Sequence, residues 1–379
     1  MSQFSVNATV YRGGTSRGIF FHKEDLPSTQ EQIEHVFFHA IDSYNPSQVN
    51  GLGSGTSHTS KIVVIGPPSV DGAHIDYTFY QMGVSQKIAD VKGTCGNLMA
   101  AVGAFAVDEE LVSVSPDQKT ITVYAYNTNI SKILEITVPI VDGKAKVIGD
   151  FHMPGIVTKG AKFIVDILNP GGGKTGQTLP LGKRVELGIP ASFVDIVNPF
   201  IYFSFEDFGL TGPQLKTKLE SNVEIISQLN KTRCEAAVLA KMEPTIEEAK
   251  KHPAVPKVAM VASPHDFITS SGKMISATEY DIYANMLSMG NVHKTFAGSG
   301  LYNLAAAALL PGTIPNDYCS LPPTADKVRI AHAEGIIEVR VKLTEDFNDV
   351  KSVGLERTAR RIMKGEVFVP NMDYSEVIQ

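Results

Sequence analysis

The sequence contains no tryptophan, only three cysteines and no basic excess: 34 Lys and Arg stand against 40 Asp and Glu, a formal charge of −6. Each shortage excludes something. Nucleic-acid binders carry a surplus of Lys and Arg, so an acidic chain argues against that class. Cys95, Cys234 and Cys319 are too few and too scattered for a disulfide framework, which fits a reducing, cytoplasmic setting. No apolar run approaches the ~18 residues of a transmembrane helix. Met1 to Tyr11 lacks the charged-then-apolar layout of a signal peptide. With 43% apolar and 20% charged residues, the composition is that of an ordinary globular protein. Glycine, by contrast, is abundant at 32, which points to many turns or to backbone that closely approaches a ligand. For a chain of 379 residues, two domains are expected at ~150 residues each.

Strand patterns run through both halves. Phe4, Val6, Ala8 and Val10 alternate with polar residues, as do Ile75, Tyr77 and Phe79, then Leu134 to Ile140, then Ile337 to Leu343. Period-2 alternation predicts antiparallel sheet with one wet face, and no regular β-α-β-α order suggests a doubly wound parallel sheet. Ser28-Thr29-Gln30-Glu31 reads as a capping box that opens a helix through Ala40. Gly212 to Met242 predicts one long or two broken amphipathic helices, and Ala277 to Met289 another helix.

Asn97 to Val107 and Asn303 to Leu310 are small, apolar and without a polar face. A helix apolar all round is buried on every side, which in a mostly antiparallel protein means a helix enclosed by a curved sheet. Each segment follows a glycine-rich turn, Lys92 to Asn97 in the first half and Thr295 to Gly300 in the second. Aligning Gly96 with Gly298 sets Cys95 opposite Ala297 and Asn97 opposite Ser299. The pattern predicts a duplicated α+β fold, two pseudo-symmetric domains each with a sheet-wrapped central helix, whose N-termini face a shared cleft. The second helix is expected to begin at Leu301, with the N–H groups of Ser299 and Gly300 in its cradle. The boundary is expected in the Gly- and Pro-rich stretch Asn169 to Pro190, giving domains 1–178 and 179–379, with the terminal segment free to pack back on the first.

Several familiar motifs fail. Gly173-Lys174-Thr175 resembles the end of a P-loop, but Leu168 stands where glycine is needed; Gly51-Leu52-Gly53 starts a dinucleotide fingerprint that Thr56 breaks. His35 and His39 have helical spacing, with neither an HExxH pattern nor a third ligand, so they read as a helix face rather than a metal site. Three glycine- and hydroxyl-rich stretches remain: Arg12 to Gly18, Gly51 to Lys61, and Gly93 to Asn97. Any one alone reads as a tight turn. Together they offer backbone N–H groups, hydroxyls and cations, a chemistry that suits carboxylates. Cys95, read at a helix N-terminus, feels the positive end of the dipole; the bland alternative is a small buried residue.

These stretches carry a resemblance. Arg12 to Gly18, RGGTSRG, resembles the R-x-G-T-S-[KR]-G signature of the PrpF-type isomerases, which include methylaconitate, methylitaconate, oxalomesaconate and aconitate isomerases. GLGSGTSHTSK, ending at Lys61, is similar to that family's G-x-G-x-x-T-S-x-T-S-K, and GTCGNLMAAVGAFA to its GNCGNL-x-x-AVG block. Asn127 to Asn129, Val194 to Pro199, His293, Pro311 to Thr313 and Arg357 to Arg360 resemble later landmarks. The resemblance spans the chain and implies the diaminopimelate epimerase-like fold. Thr94 replaces a frequent asparagine, and the loop Phe151 to Gly155 is unusual, so substrate identity stays open.

The implied activity is a cofactor-independent, metal-free allylic isomerisation of a small unsaturated di- or tricarboxylate. A C–H beside a C=C conjugated to carboxylate is weakly acidic. Its removal gives a dienolate, and return of the proton to another carbon moves the double bond. Lys61 is expected as general base and Cys95 as a second acid/base or placing group. Arg12, Thr15, Ser16, Arg17, Ser57, Ser60, Thr94, Gly96, Asn97, His293, Ser299 and Gly300 are expected to bind substrate, with one carboxylate bridging the two helix starts. A racemase would need a second thiol opposite Cys95, where Ala297 stands. A non-catalytic carboxylate-binding protein would need the cradle but neither Lys61 nor Cys95. Neither nucleic acid nor membrane is expected as a partner, and the oligomeric state, a homodimer included, stays open.

Overall fold

In a computed structural model, which describes residues 2–91, 93–288, 290–293 and 295–371, the chain divides into two units. One is built from residues 1–166 and 356–379, the other from residues 167–355. The Gly- and Pro-rich stretch read as the linker lies inside the second unit, and it is not slack. The backbone N–H groups of Lys174 and Thr175 and the Thr175 hydroxyl all donate to one carboxylate oxygen of buried Asp195, at 2.8, 2.7 and 2.9 Å. An anion-cradling loop is here filled by the chain's own aspartate.

In the first unit, β1 (Gln3–Gly13) and β2 (Ser16–His22) form a hairpin across Gly14 and Thr15, with Arg12 paired to Arg17 and Gly13 to Ser16. Gly14 has φ 53°, and a Cβ there would come within 2.4 Å of the Asn97 side chain, so both backbone and space call for glycine. Strand β2 runs parallel to β3 (Lys61–Gly66), which runs antiparallel to β4 (Ile75–Met82) with Lys61 opposite Gln81. The C-terminal strand Ala359–Pro370 lies antiparallel to β1, from Gln3 opposite Pro370 to Gly13 opposite Ala359.

Helix α1 (Gln30–Ile41) packs Val36, Phe37, Phe38 and Ile41 against Val6, Ala8 and Val10 of β1. Thr29 caps it by accepting from Gln32 N at 3.3 Å, so the cap falls one residue beyond the expected Ser28. His35 and His39 face each other on α1, and His35 Nε2 lies 2.7 Å from the Pro370 carbonyl oxygen. Helix α2 (Met99–Asp108) lies against the other face of β1 and β2: Phe105 meets Tyr11 and Phe20 at 5.9 and 5.6 Å between ring centroids. Every residue from Met99 to Val107 is buried, as an all-apolar helix requires. At Gly103 a Cβ would sit 2.5 Å from Ile136 Cγ2, so the strand Lys132–Val141 lies directly on the helix.

The second unit follows the same plan. Helix α3 (Leu215–Glu220), α4 (Val223–Leu239) and α5 (Ile246–Lys251) belong to it; Leu215, Leu219 and Leu229 from the first two share a core with Phe193, Phe203 and Met260. Helix α6 (Gly298–Leu309) is its central helix, buried from Gly300 to Leu309. Asn303 donates to the carbonyls of Val194 and Asn198, both at 2.8 Å, and accepts from the Tyr202 hydroxyl at 2.9 Å, pinning α6 to the hairpin of Pro190–Ile196 and Asn198–Ser204. The helix expected over Ala277 to Met289 is instead a 3-10 turn, Ala277–Glu279, and a strand, Ile282–Ser288; Met289 is outside the described residues. This strand sits between Lys257–Ala262 and Lys327–His332 and is buried on both faces from Ile282 to Leu287, so the alternation that marks a strand is missing. Each unit is thus a curved, mainly antiparallel sheet around a buried helix, the α+β, diaminopimelate epimerase-like arrangement that the resemblance implied.

Candidate active site

Lys61 opens β3 with its side chain on the face that looks towards α2. Strand alternation sets this direction, and Gly18 makes room beside it: a Cβ at Gly18 would stand 2.8 Å from Leu98 Cδ1, 3.2 Å from the Lys61 carbonyl oxygen and 3.5 Å from Lys61 Cβ. Only glycine lets β2, β3 and the start of α2 approach so closely. Lys61 is 8% exposed. Its Nζ donates to Gln81 Oε1 at 2.5 Å and lies 5.1 Å from the centre of the Phe79 ring. No carboxylate pairs with it among the described residues.

Cys95 adjoins the same face. Its Sγ is 3.9 Å from Ser16 Oγ. Ser16 and Gly18 are two residues apart on one strand, so they point the same way and sit about 6.6 Å apart. Ser16 carries Cys95, and Gly18 carries Lys61, on that one surface. Asn97 Nδ2 donates to Thr15 Oγ1 at 3.1 Å and to Ser16 Oγ at 3.4 Å, which ties the Cys95 turn to the hairpin tip. Behind it, Asn127 Nδ2 donates to Thr94 Oγ1 at 2.7 Å and to the Tyr77 hydroxyl at 2.6 Å. Gly96 and Asn97 form a turn ahead of α2, so Cys95 precedes the first helical residue, Met99, by a full turn rather than opening the helix. No side chain caps α2, whose first-turn residues, Met99 to Ala101, are buried. Lys92, read as part of this turn, is outside the described residues.

Strand alternation sends Arg12 and Arg17 to the opposite face of the hairpin from Ser16 and Gly18. Arg12 Nη1 donates to Gly14 O, Thr358 O and Thr358 Oγ1 at 3.0, 2.9 and 2.8 Å. Burial, and then Arg360 opposite it in the strand pair, lower its affinity for the proton. Arg17 Nη2 donates to Leu52 O and Ser54 Oγ, both at 2.9 Å. Both arginines therefore brace the hairpin and the Gly51–Lys61 loop. That loop is folded around Gln48: its Oε1 accepts from Gly55 N at 2.8 Å and from buried Ser60 Oγ at 2.9 Å, and a Cβ at Gly53 would clash with it. Ser60 is a bracing residue, whereas Ser57 and Thr15 are exposed.

In the second unit, α6 begins at Gly298 rather than Leu301, which puts Ser299 and Gly300 in its first turn; no side chain caps this helix either. Gly300 is close-packed, since a Cβ would lie 2.6 Å from Phe200 and 2.7 Å from Phe296. His293 Nδ1 faces its own turn, 2.9 Å from Thr295 O. Two glutamines escape sequence reasoning altogether, Gln81 and Gln48. Gln81 acts on a partner in another strand and Gln48 on the loop that follows it, and no short motif marks either.

A family model described as "PrpF protein" matches residues 3–370. The 3-methylitaconate isomerase of Eubacterium barkeri is 36% identical, over 97% of this chain and 98% of its own length. The 2-methyl-aconitate isomerase of Shewanella oneidensis is 32% identical, over 97% and 98%. Among solved structures, a crystal structure of methylitaconate-delta-isomerase superposes with a TM-score of 0.91 at 35% identity, covering 98% of this chain and 97% of that one.

Proposed function

The chain belongs to the PrpF protein family, and from this premise we propose that it is an isomerase that moves an allylic proton in a small unsaturated di- or tricarboxylate of the methylitaconate or methylaconitate kind. The observation that carries the mechanism is the placing of Lys61: buried, held by a neutral acceptor, and on the same strand face as Cys95.

The neutral Lys61 amine takes the proton from the carbon next to the C=C. The electron pair left behind spreads through the double bond into the conjugated carboxylate. The Thr15 and Ser57 hydroxyls stabilise that charge, a contribution that is large when the donors are fixed in advance. The proton then returns to the far carbon from Lys61, or the Cys95 thiol delivers one there and the Lys61 ammonium reprotonates the thiolate; either way the double bond has moved. Rotation before return would exchange cis and trans. Within the second unit, the first turn of α6, with Ser299 and Gly300, has N–H groups that no side chain caps, the kind of donor that suits a carboxylate. A passive carboxylate-binding protein would use such a lysine only as a cation for its ligand, a role that Lys61→Arg would preserve.

The test is turnover of a panel of methylitaconate, methylaconitate, aconitate and oxalomesaconate, followed by ultraviolet absorbance. Lys61→Met is expected to lose about 10²–10⁴-fold in turnover with binding retained. Near-normal turnover would remove Lys61 as the base, and a full-rate Lys61→Arg would make it a plain anion contact.

A further inference from the structure

Lys61 meets one hydrogen-bonding side chain among the described residues, Gln81, and the main chain dictates how that side chain lies. The two ends of an amide are told apart by their hydrogen bonds. Gln81 Nε2 faces three carbonyl oxygens, those of Ser60 at 2.9 Å and of Ser57 and Met82 at 3.2 Å. Turned over, the amide would set its oxygen against three carbonyl oxygens, losing all three of those contacts. The Ser57–Ser60 turn therefore fixes Gln81, and Gln81 Oε1 has Lys61 Nζ as its partner at 2.5 Å.

We propose that Gln81 is a positioning residue for proton transfer by Lys61: it holds one N–H of the amine through a neutral acceptor and so aims the lone pair of the uncharged amine at the face shared with Ser16 and Cys95. The inference rests on the reading of Lys61 as the base. An acceptor is needed here, because a long, flexible side chain must be stopped in one geometry for a proton to move. A charged acceptor would defeat the purpose. A carboxylate would pair with the ammonium form and withhold the lone pair until higher pH. An amide oxygen locates the nitrogen while favouring its charged form far less than a carboxylate would. Phe79 closes another side of the amine with its ring face, 5.1 Å away.

Two variants test this. In Gln81→Glu, a carboxylate faces Lys61, and the pH at which kcat/KM rises is expected to move up by about one unit or more, with activity recovered at alkaline pH. In Gln81→Leu, the acceptor is gone; kcat is expected to fall about 10–100-fold with KM nearly unchanged. A purely structural Gln81 predicts a pH-independent loss in both variants, and that result, or full activity in Gln81→Leu, overturns the proposal. Lys61→Met, run alongside, separates the two claims. If it is inactive while Gln81→Glu shows no shift, only the role of Gln81 fails. If it is active, the base assignment fails and the proposal goes with it.

Discussion

Asn127 holds Thr94 by a hydrogen bond of 2.7 Å, and the next residue after Thr94 is Cys95. The same Nδ2 reaches the Tyr77 hydroxyl, while Asn127 Oδ1 accepts from Asn129 N at 2.9 Å. A fully buried amide with its contacts satisfied fixes the loop that presents the thiol. Asn127→Ala leaves buried groups without partners, so it is expected to cost about 1–3 kcal/mol in urea unfolding. Thr94→Val removes one acceptor and is expected to cost less stability while still lowering turnover. Wild-type stability in Asn127→Ala would show that the latch is not load-carrying.

Two glycines separate packing from catalysis. Gly103→Ala puts a methyl 2.5 Å from Ile136 Cγ2 in the core of the first unit, and overpacking of this kind costs about 1–3 kcal/mol. Turnover per folded molecule should be nearly unchanged. Gly18→Ala pushes on Leu98 and on the Lys61 main chain, so it should reduce turnover of folded enzyme as well. Thermal melts and kinetics on the same preparations give both readings.

Cys95 is tested by solvent exchange. Cys95→Ala should lower turnover by about 10²-fold or more if the thiol passes the proton, with Cys95→Ser between it and wild type. Reactions in deuterated water, read by NMR, show whether the label enters at the donor carbon, the acceptor carbon or both. Unchanged turnover and unchanged labelling in both variants would take Cys95 out of the mechanism.

Stability should depend on pH through His332. Burial is the main cause that pushes this histidine down from 6.5 to about 4, and its Nε2 has no hydrogen-bond partner among the described residues. The unfolded chain takes up the proton first, so stability is full above about 6.5 and falls as pH drops towards 4. The span corresponds to about 3 kcal/mol. His332→Asn should flatten the urea midpoint between pH 7 and pH 4.5 relative to wild type; equal slopes would exclude His332 as the source.

Much of the fold was legible because its signals are local. Alternation marked β1 and β4, and the apolar stretches from Asn97 and Asn303 announced two enclosed helices. The strand Ile282–Ser288 was misread because burial on both faces erases alternation. The site was half legible. Glycine-rich motifs located the hairpin and both loops, but which way a side chain points depends on strand parity and on the exact turn. So Arg12 and Arg17, adjacent to Ser16 in the reading, face away from it in the sheet. Gln81 was invisible because its partner is chosen by the pairing of β3 with β4, which no short motif encodes.

The pairing of β1 with Ala359–Pro370 sets an order on biosynthesis. β1 leaves the ribosome long before the strand it pairs with. Residues 167–355 make up the second unit and are complete before that partner emerges, so the second unit can fold while the first still has an open strand edge. Growth of the chain thus leaves β1 unflanked on one side until Ala359–Pro370 is made, whereas the strands that surround Lys61, β2 and β4, are in hand long before.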